Sequence, residues 1–431
     1  MHVLPVISRV ENSEVVITGL GFISSIGNSV HEVSGSLKGM CSGIETFQPF
    51  LDAKAPVSVL GTVKGFDLSS SDQEDWEFPS KYRVSRSVLR GMSPNALYGL
   101  CAFTDAVEDA GLDVSEVSSP DTGMYTASAG STLMLYHSVR RLKSVGAERS
   151  NPKGIVASIA GTLNFNLVSH FKIQGFSTGF VSACASSAHA LGFAAGAIAN
   201  GQQKRMFVVG AEDGDLDCIL PFAAMRALSV NADPTTASRP FDKSRDGFVG
   251  TGGAAVMVLE SRETAEARGA KIYSSIAGWG QSSDGFNPVL PEPEGQGLTR
   301  AIQMALSRGD ISPNQIGYIN AHAPSTPFGD AAELKAIRSV FNPTEYPRIS
   351  STKSLTGHGL SLAGTLEAGI TALAIKESFL PGSANISELD PVAEGFNILR
   401  ETIEMPIDYA LSNSSGFGGA NVSILLKRSD G

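Results

Sequence analysis

The sequence predicts an α/β protein built from two similar halves. Strand-like and helical stretches alternate along the 431 residues, and the second half repeats features of the first. Residues 15–21 and 271–280 both read as a strand running into a Gly-x-Gly turn, with two serines following. Glycine-led strands at 250–260 and 416–427 end the two halves. This repetition predicts two halves of one plan, residues 1–264 and 265–431, with the joint near 262–270.

The first half opens with a predicted strand after a disposable tail. A helix over 30–38, an irregular polar insertion over 46–92 and a helix over 96–110 follow. Next come a strand from 121 with its small-residue loop, a basic stretch over 135–153, an apolar stretch over 155–173, a helix over 185–199, and strands over 205–211 and 250–260. The second half adds helices over 296–307, 330–340 and 363–378.

Composition limits the function. With 42% hydrophobic residues the chain can bury a large core, and its net charge of −10 argues against a general nucleic-acid binder. Residues 1–12 lack signal-peptide features, and no apolar run is long enough to span a membrane. The four cysteines form no CxxC pair and no ligand cluster, so we expect a reduced cytoplasmic compartment and no metal.

The Gly19-Leu20-Gly21 sequence is not read as a dinucleotide-binding motif. The third glycine and a following acidic residue at the required spacing are absent.

Cys184 stands between a predicted strand end and a small-residue helix. Free backbone N–H groups and the helix dipole stabilise a thiolate at such a position, which predicts a nucleophile with a lowered thiol pKa. A small buried hydrophobe is the alternative that this segment alone leaves open.

Two histidines have sharply defined surroundings. His322 follows a strand and precedes a proline-constrained loop, and His358 lies between Gly357 and Gly359 after another strand. The glycine-rich segment 412–421 suits a turn that offers backbone N–H donors. A thiol that attacks a carbonyl needs such proton handling and an oxyanion site.

Four ordered motifs resemble those of the β-ketoacyl-acyl-carrier-protein synthases, most closely the elongating I/II type with a Cys-His-His site. They are Ser-Ala-Cys-Ala-Ser-Ser at 182–187, Asn-Ala-His at 320–322, Ser-Thr-Lys-Ser-Leu-Thr-Gly-His at 351–358 and Gly-Phe-Gly-Gly at 416–419. The resemblance spans residues 15–427 and is weakest over 45–90 and 130–155. It implies a thiolase-like fold, with two βαβαβαββ halves in α/β/α/β/α layers.

The resemblance also implies the roles of the site residues. Cys184 takes the acyl chain as a thioester, and His322 and His358 promote loss of CO2 from the malonyl thioester. The backbone N–H groups of Cys184 and Phe417 hold the oxyanion. Phe417, with Gly418 and Gly419, gates the nucleophile. Three further pairs have implied or supporting roles. Lys353 and Glu367 act on the histidine end of the site, and Asp330 and Glu333 support the helix after His322. Ser325 and Thr326 lie at the pantetheine arm.

The implied partners are acyl carrier protein and a second copy of the chain, without nucleic acid, a membrane, a metal or a redox cofactor. Carrier proteins are acidic, so a basic dock is expected. Arg226 matches a docking arginine, and further candidates are Lys81, Arg140 and Arg141. The apolar stretches 127–136 and 155–168 are expected to line the acyl tunnel and the dimer contact. His189 is read as a structural helix histidine.

Three departures from the family pattern concern the substrate passage. Ala323-Pro324 replaces the usual Gly-Thr, Ser415 replaces a phenylalanine and Ala420 replaces a threonine. They leave open a polyketide-type or secondary-pathway ketosynthase as an alternative. A non-catalytic condensing-enzyme partner is a further alternative, which the presence of Cys184 and both histidines argues against.

Overall fold

The computed structural model describes residues 13–429, in which strands and helices alternate as the sequence predicts. The strands are β1 (Val15–Ile23), β2 (Ile44–Thr46), β3 (Val59–Gly61), β4 (Thr122–Ala127), β5 (Ser177–Phe180), β6 (Arg205–Glu212), β7 (Gly253–Ser261), β8 (Ser274–Ser283), β9 (Tyr318–Asn320), β10 (Arg348–Ser350), β11 (Phe379–Leu380), β12 (Asn397–Ile398), β13 (Ile403–Glu404), β14 (Tyr409–Gly416) and β15 (Ala420–Lys427). The predicted tail, residues 1–12, lies outside the described residues.

The helices vary from one turn to about five. They are α1 (Val30–Lys38), α2 (Gln48–Asp52), α3 (Arg86–Leu89), α4 (Pro94–Ala110), α5 (Val114–Val117), α6 (Thr132–Val145), α7 (Thr162–Phe171), α8 (Ser186–Ala199), α9 (Leu216–Ile219), α10 (Arg262–Ala267), α11 (Gln296–Gly309), α12 (Pro327–Val340), α13 (Lys353–Thr356) and α14 (Ala363–Glu377). The insertion over 46–92 contains only short elements, as its polar, irregular sequence predicts.

Within residues 13–429, eleven strands form one sheet in the order β12-β10-β9-β14-β15-β8-β1-β7-β6-β4-β5. From β1 outward, the first half runs β1-β7-β6-β4-β5, and from β8 outward the second runs β8-β15-β14-β9-β10. In each series the first two pairings are antiparallel and the next two are parallel. The two halves therefore share one plan, as predicted. The boundary at 264/265 stays a prediction.

The glycine pairs show why both halves start alike. Gly19 and Gly21 lie inside β1, and Gly278 and Gly280 lie inside β8, so the predicted Gly-x-Gly turns are wrong. A Cβ at Gly21 would lie 2.0 Å from the carbonyl oxygen of Ala102 in α4, and one at Gly280 would lie 2.0 Å from that of Ala301 in α11. The glycines are needed because a helix packs directly on each strand.

Helices α8 and α14 form the central layer. They pack against each other, and each contacts strands of both halves of the sheet. Helix α4 covers the outer face of the first half, and α11 and α12 cover that of the second. The central layer positions the site, because Cys184 directly precedes α8 and His358 precedes α14 by one short turn.

Candidate active site

Cys184 lies at the start of α8, where the chain leaves β5. Its side chain is 9% exposed, and it packs among apolar residues that include Phe248 and Leu360. The Sγ atom lies 3.1 Å from Nε2 of His358. The cysteine that the sequence left open between two interpretations is therefore paired with a histidine.

The Cys184 thiol is not the resting thiolate that its position at a helix start predicts. Burial raises its pKa to about 12, the carboxylates of Glu212 and Glu367 act in the same direction, and the positive charge of Lys353 opposes them. A helix dipole is worth about 0.3–1 kcal/mol at an exposed site, whereas a charge that loses its solvent costs several kcal/mol. The expectation of a lowered pKa is wrong for this reason.

His322 and His358 meet at the site from two different loops. Their ring centroids lie 5.2 Å apart, with the ring planes at 82°. The backbone N–H of His358 donates to the carbonyl of Val249, which fixes its loop against the first half. Burial is the main cause that lowers the pKa of both imidazoles, and the Lys353 charge lowers both further. Both rings are therefore neutral at neutral pH.

Lys353 and Glu367 form a buried ion pair beside the histidines. Lys353 Nζ lies 2.5 Å from a Glu367 carboxylate oxygen, and the side chains are 1% and 2% exposed. Burial raises the pKa of Glu367 to about 7, although the Lys353 charge opposes this. The pair supplies a fixed positive charge at the histidine end of the site.

Glu333 and Asp330 hold the loop after His322. The carboxylate of Glu333 accepts the backbone N–H groups of His322 and Ala323, at 3.0 and 2.7 Å, and the amide of Asn413. Asp330 accepts the backbone N–H groups of Ser325 and Thr326, each at 3.1 Å. Asn413 lies in the glycine-rich 412–421 segment, where no signal in the sequence marks it as a partner of Glu333.

One cavity of about 300 Å³ joins these groups to the surface. Cys184, His322 and His358 line it, and Phe417, Ser415 and Thr326 line it further out. The rings of Phe222 and Phe248, which no motif in the sequence marked, lie between Phe417 and His358. Phe417 and Phe222 lie 6.2 Å apart, and Phe248 contacts His358 edge to face at 5.2 Å.

The turn at 416–419 lies against the backbone of Cys184. A Cβ at Gly416 would lie 3.0 Å from the backbone nitrogen of Cys184, so only glycine leaves that N–H open. Gly418 and Gly419 have φ of +79° and +76°, which carry the chain back into β15. The turn therefore brings Phe417 to the mouth of the site.

Ser325 and Thr326, the two residues expected at the pantetheine arm, differ in their exposure to the cavity. Ser325 is fully buried, and its hydroxyl accepts the backbone N–H of Arg239, so the structure does not bring it to the cavity. Thr326 is half-buried on the cavity wall, where its hydroxyl also caps α12.

The docking candidates lie at separate places on the surface. Arg226 is exposed at the cavity mouth, and Arg140 and Arg141 line a second, basic pocket. Lys81 is engaged by Asp105 at 3.1 Å.

No group of three or more metal-ligating side chains occurs within the described part of the chain, and none of its helices is long and apolar enough to cross a membrane.

A doubled α/β fold with a buried cysteine and two neutral histidines in one cavity defines a thiolase-like condensing enzyme.

Comparisons with known proteins identify the family. The family model "Beta-ketoacyl synthase, N-terminal domain" matches residues 12–265, and the C-terminal domain model matches 273–387. The chain is 42% identical to 3-oxoacyl-[acyl-carrier-protein] synthase 1 of Haemophilus influenzae, over 96% of this chain and 99% of that protein. It is 38% identical to the Escherichia coli K12 synthase 1, over 96% and 98%.

The comparison with solved structures indicates the same family. A beta-ketoacyl synthase from Burkholderia phymatum STM815 matches with a TM-score of 0.89 at 30% identity, covering 97% of this chain and 100% of that one. The chain belongs to the beta-ketoacyl synthase family, and it is a condensing enzyme of the acyltransferase class.

Proposed function

We propose that this enzyme is an elongating 3-oxoacyl-[acyl-carrier-protein] synthase of fatty acid synthesis, with Cys184 as nucleophile and His322 and His358 as the decarboxylating pair. The observation that carries the proposal is the 3.1 Å contact between Cys184 Sγ and His358 Nε2, with the His322 ring beside it in one cavity. The names of the relatives in Haemophilus and Escherichia support the substrate class.

The first step transfers the acyl chain to Cys184. The sulfur attacks the thioester carbonyl of the acyl carrier while His358 Nε2 takes the thiol proton. The carbon–sulfur bond to the carrier then breaks, and the departing carrier thiol receives that proton. The backbone N–H groups of Cys184 and Phe417 hold the oxyanion, which the absence of a side chain at Gly416 permits.

The second step forms the carbon nucleophile. The malonyl thioester loses CO2, and the electrons of the broken bond move onto its carbonyl oxygen as an enolate. A neutral imidazole keeps one N–H. With that proton on Nε2, to which it returns in His358 after the first step, His322 and His358 donate hydrogen bonds to that oxygen. The enolate carbon bonds to the carbonyl carbon of the acyl-Cys184 thioester, and the bond from that carbon to the Cys184 sulfur breaks. The sulfur leaves as a thiolate and takes up a proton, while the 3-oxoacyl chain, two carbons longer, stays on the carrier that brought the malonyl group.

Lys353 helps to keep His322 and His358 in their neutral form. Its ammonium, held by Glu367, lowers the pKa of both histidines and favours the developing negative charge nearby. Lys353 is thus an electrostatic group of the site, and Glu367 is the residue that positions it.

The pantetheine arm enters along Thr326 and past Phe417. Pro324 lines the same cavity in place of a hydroxyl-bearing residue, so Thr326 provides the hydroxyl at this point of the wall. Ser325 has no part in this proposal because it is buried.

The acidic carrier docks on basic side chains of the surface. Arg226 at the cavity mouth is the principal contact, and Arg140 and Arg141 offer a second basic patch at a separate place. Lys81 contributes less because Asp105 neutralises it. Arg226→Glu is expected to raise the KM for acyl carrier about tenfold with kcat nearly unchanged, and an unchanged KM would remove Arg226 from the dock.

The enzyme works as a homodimer in the cytoplasm. Strand β5 is an exposed sheet edge, paired on one side by β4, and the segments on both sides of it in the chain expose apolar side chains. They are Leu135, Tyr136, Val139, Ile155, Ile159, Phe165 and Val181. Light scattering should give twice the 45.0 kDa chain mass, and a 45.0 kDa particle would contradict the dimer. The described cysteines are free thiols, which suits a reducing compartment.

Separating the two half-reactions tests the roles. We expect His322→Ala to acylate Cys184 at near wild-type rate but to release CO2 from malonyl carrier at least about 100-fold more slowly. His358→Ala should slow both steps, because its Nε2 contacts the sulfur. Equal loss of acylation in both variants would contradict the division of roles. A synthase of a polyketide pathway remains the alternative, and a panel of acyl carriers distinguishes it.

A further inference from the structure

The turn that carries the nucleophile has a strained backbone. Between β5 and α8 the chain passes through Ser182, Ala183 and Cys184, and Ala183 has a φ of +50°. An alanine in this left-handed region persists only where the surrounding contacts hold it. The contacts of this turn therefore decide where the Cys184 sulfur lies.

Two side chains of α8 hold the start of the turn. The Ser182 hydroxyl lies 2.8 Å from Nδ1 of His189, and the Ser182 backbone N–H donates to the Ser186 hydroxyl at 2.8 Å. Ser186 in turn donates to the carbonyl of Ala183 at 2.6 Å. Ser186 and His189 are one helical turn apart on α8, so they face the same part of the turn.

The opposite side of Ser182 meets the gate. A Cβ at Gly416 would lie 2.7 Å from the Ser182 carbonyl oxygen and 3.0 Å from the Cys184 nitrogen. Ser182 thus lies between α8 and the 416–419 turn. Any displacement of Ser182 would move both the nucleophile and the N–H proposed for the oxyanion.

We infer that His189 is a positioning residue for the condensation, which holds the strained Cys184 turn through its hydrogen bond to Ser182. The inference rests on the proposed role of Cys184 as nucleophile. It gives a reaction role to a histidine that the sequence indicated only as structural. His189 is half-buried, and burial lowers its pKa. Its Nδ1 faces the Ser182 hydroxyl at 2.8 Å.

The test compares three variants with matched chemistry. His189→Leu and Ser182→Ala each remove one partner of the bond, whereas His189→Asn keeps an amide atom close to the place of Nδ1. The rate of single-turnover acylation of Cys184 by acyl carrier is measured by intact mass, beside the KM for the carrier and the melting temperature.

We expect His189→Leu and Ser182→Ala to slow acylation about 10- to 100-fold, since small misplacements of reacting groups have effects of this size. The KM should stay unchanged, His189→Asn should recover most of the rate, and the double variant should be no slower than the slower single one.

Acylation within twofold of wild type in both single variants would overturn the inference, whatever their melting temperatures. Additive losses in the double variant would also overturn it, because the two residues would then act separately. A Cys184→Ala arm distinguishes the failure of the proposed function. If that variant still takes the acyl chain, the nucleophile is elsewhere, independently of His189.

Discussion

The reactivity of Cys184 toward an alkylating reagent should rise steeply with pH and show no plateau up to pH 10. Burial raises the thiol pKa to about 12, so at pH 8 about one molecule in ten thousand carries the thiolate. Each added pH unit should raise the thiolate fraction, and hence the alkylation rate, about tenfold. The sign follows from the cause: burial disfavours the charged form, and only a lower proton concentration restores it.

The assay is iodoacetamide alkylation of the enzyme without substrates, with the Cys184 peptide quantified by mass spectrometry. Cys41 is exposed in the same chain and serves as an internal reference for the reagent. Cys101 is buried and should stay unlabelled while the fold is intact. A Cys184 rate that is already constant between pH 6 and 8 would refute the reasoning, because the 3.1 Å contact with His358 would then be a thiolate–imidazolium pair.

Two further predictions concern the charges around the histidines. Glu367→Gln leaves the Lys353 ammonium buried without its partner, and at pH 8.5, where the Glu367 carboxyl is ionised, it should lower the free energy of unfolding in urea by about 3–5 kcal/mol. The exposed Lys38–Glu377 pair is the control, since Glu377→Gln should lower the free energy of unfolding by less than about 1 kcal/mol. Equal losses in Glu367→Gln and Glu377→Gln would contradict the claim that Lys353 depends on a buried partner. Because burial and Lys353 lower the pKa of His322 and His358, CO2 release should stay constant from pH 7.5 to 6 in the acylated Glu367→Gln variant, which lacks the carboxyl with a pKa of about 7, at saturating malonyl carrier. Loss of half the rate near pH 6.5 would show that a histidine titrates at its ordinary value.

The sequence predicts the long elements and their order well, because hydrophobic periodicity and end signals are local. The helix over 30–38 has the predicted bounds, with Ser29 as its N-cap and Gly39 as its C-cap, and α4 ends at residue 110 as predicted, with Gly111 in the left-handed conformation. The prediction of Gly-x-Gly turns is wrong because the sequence does not distinguish two requirements for glycine. Here a helix packs directly on the strand, whereas a turn requires glycine for its backbone conformation.

The site shows the same division between local and tertiary information. The motif residues Cys184, His322 and His358 could be singled out and do meet in one cavity. Cys184 and Ser325 are buried by residues that are distant in the sequence. Phe248 packs in the apolar cluster around Cys184, and the backbone N–H of Arg239 donates to the Ser325 hydroxyl. Likewise, the bond between Ser182 and His189 depends on the strained turn between them, which no propensity predicts.

The most direct test of the central claim is the site of acylation. The enzyme is mixed with an acyl carrier, and its mass and peptides are read before malonyl carrier is added. We predict one acyl group per chain, on the Cys184 peptide alone, which disappears with release of CO2 and a 3-oxo product two carbons longer when malonyl carrier arrives. An acyl group on another residue, or the same product from Cys184→Ala, would contradict the claim that Cys184 carries the chain.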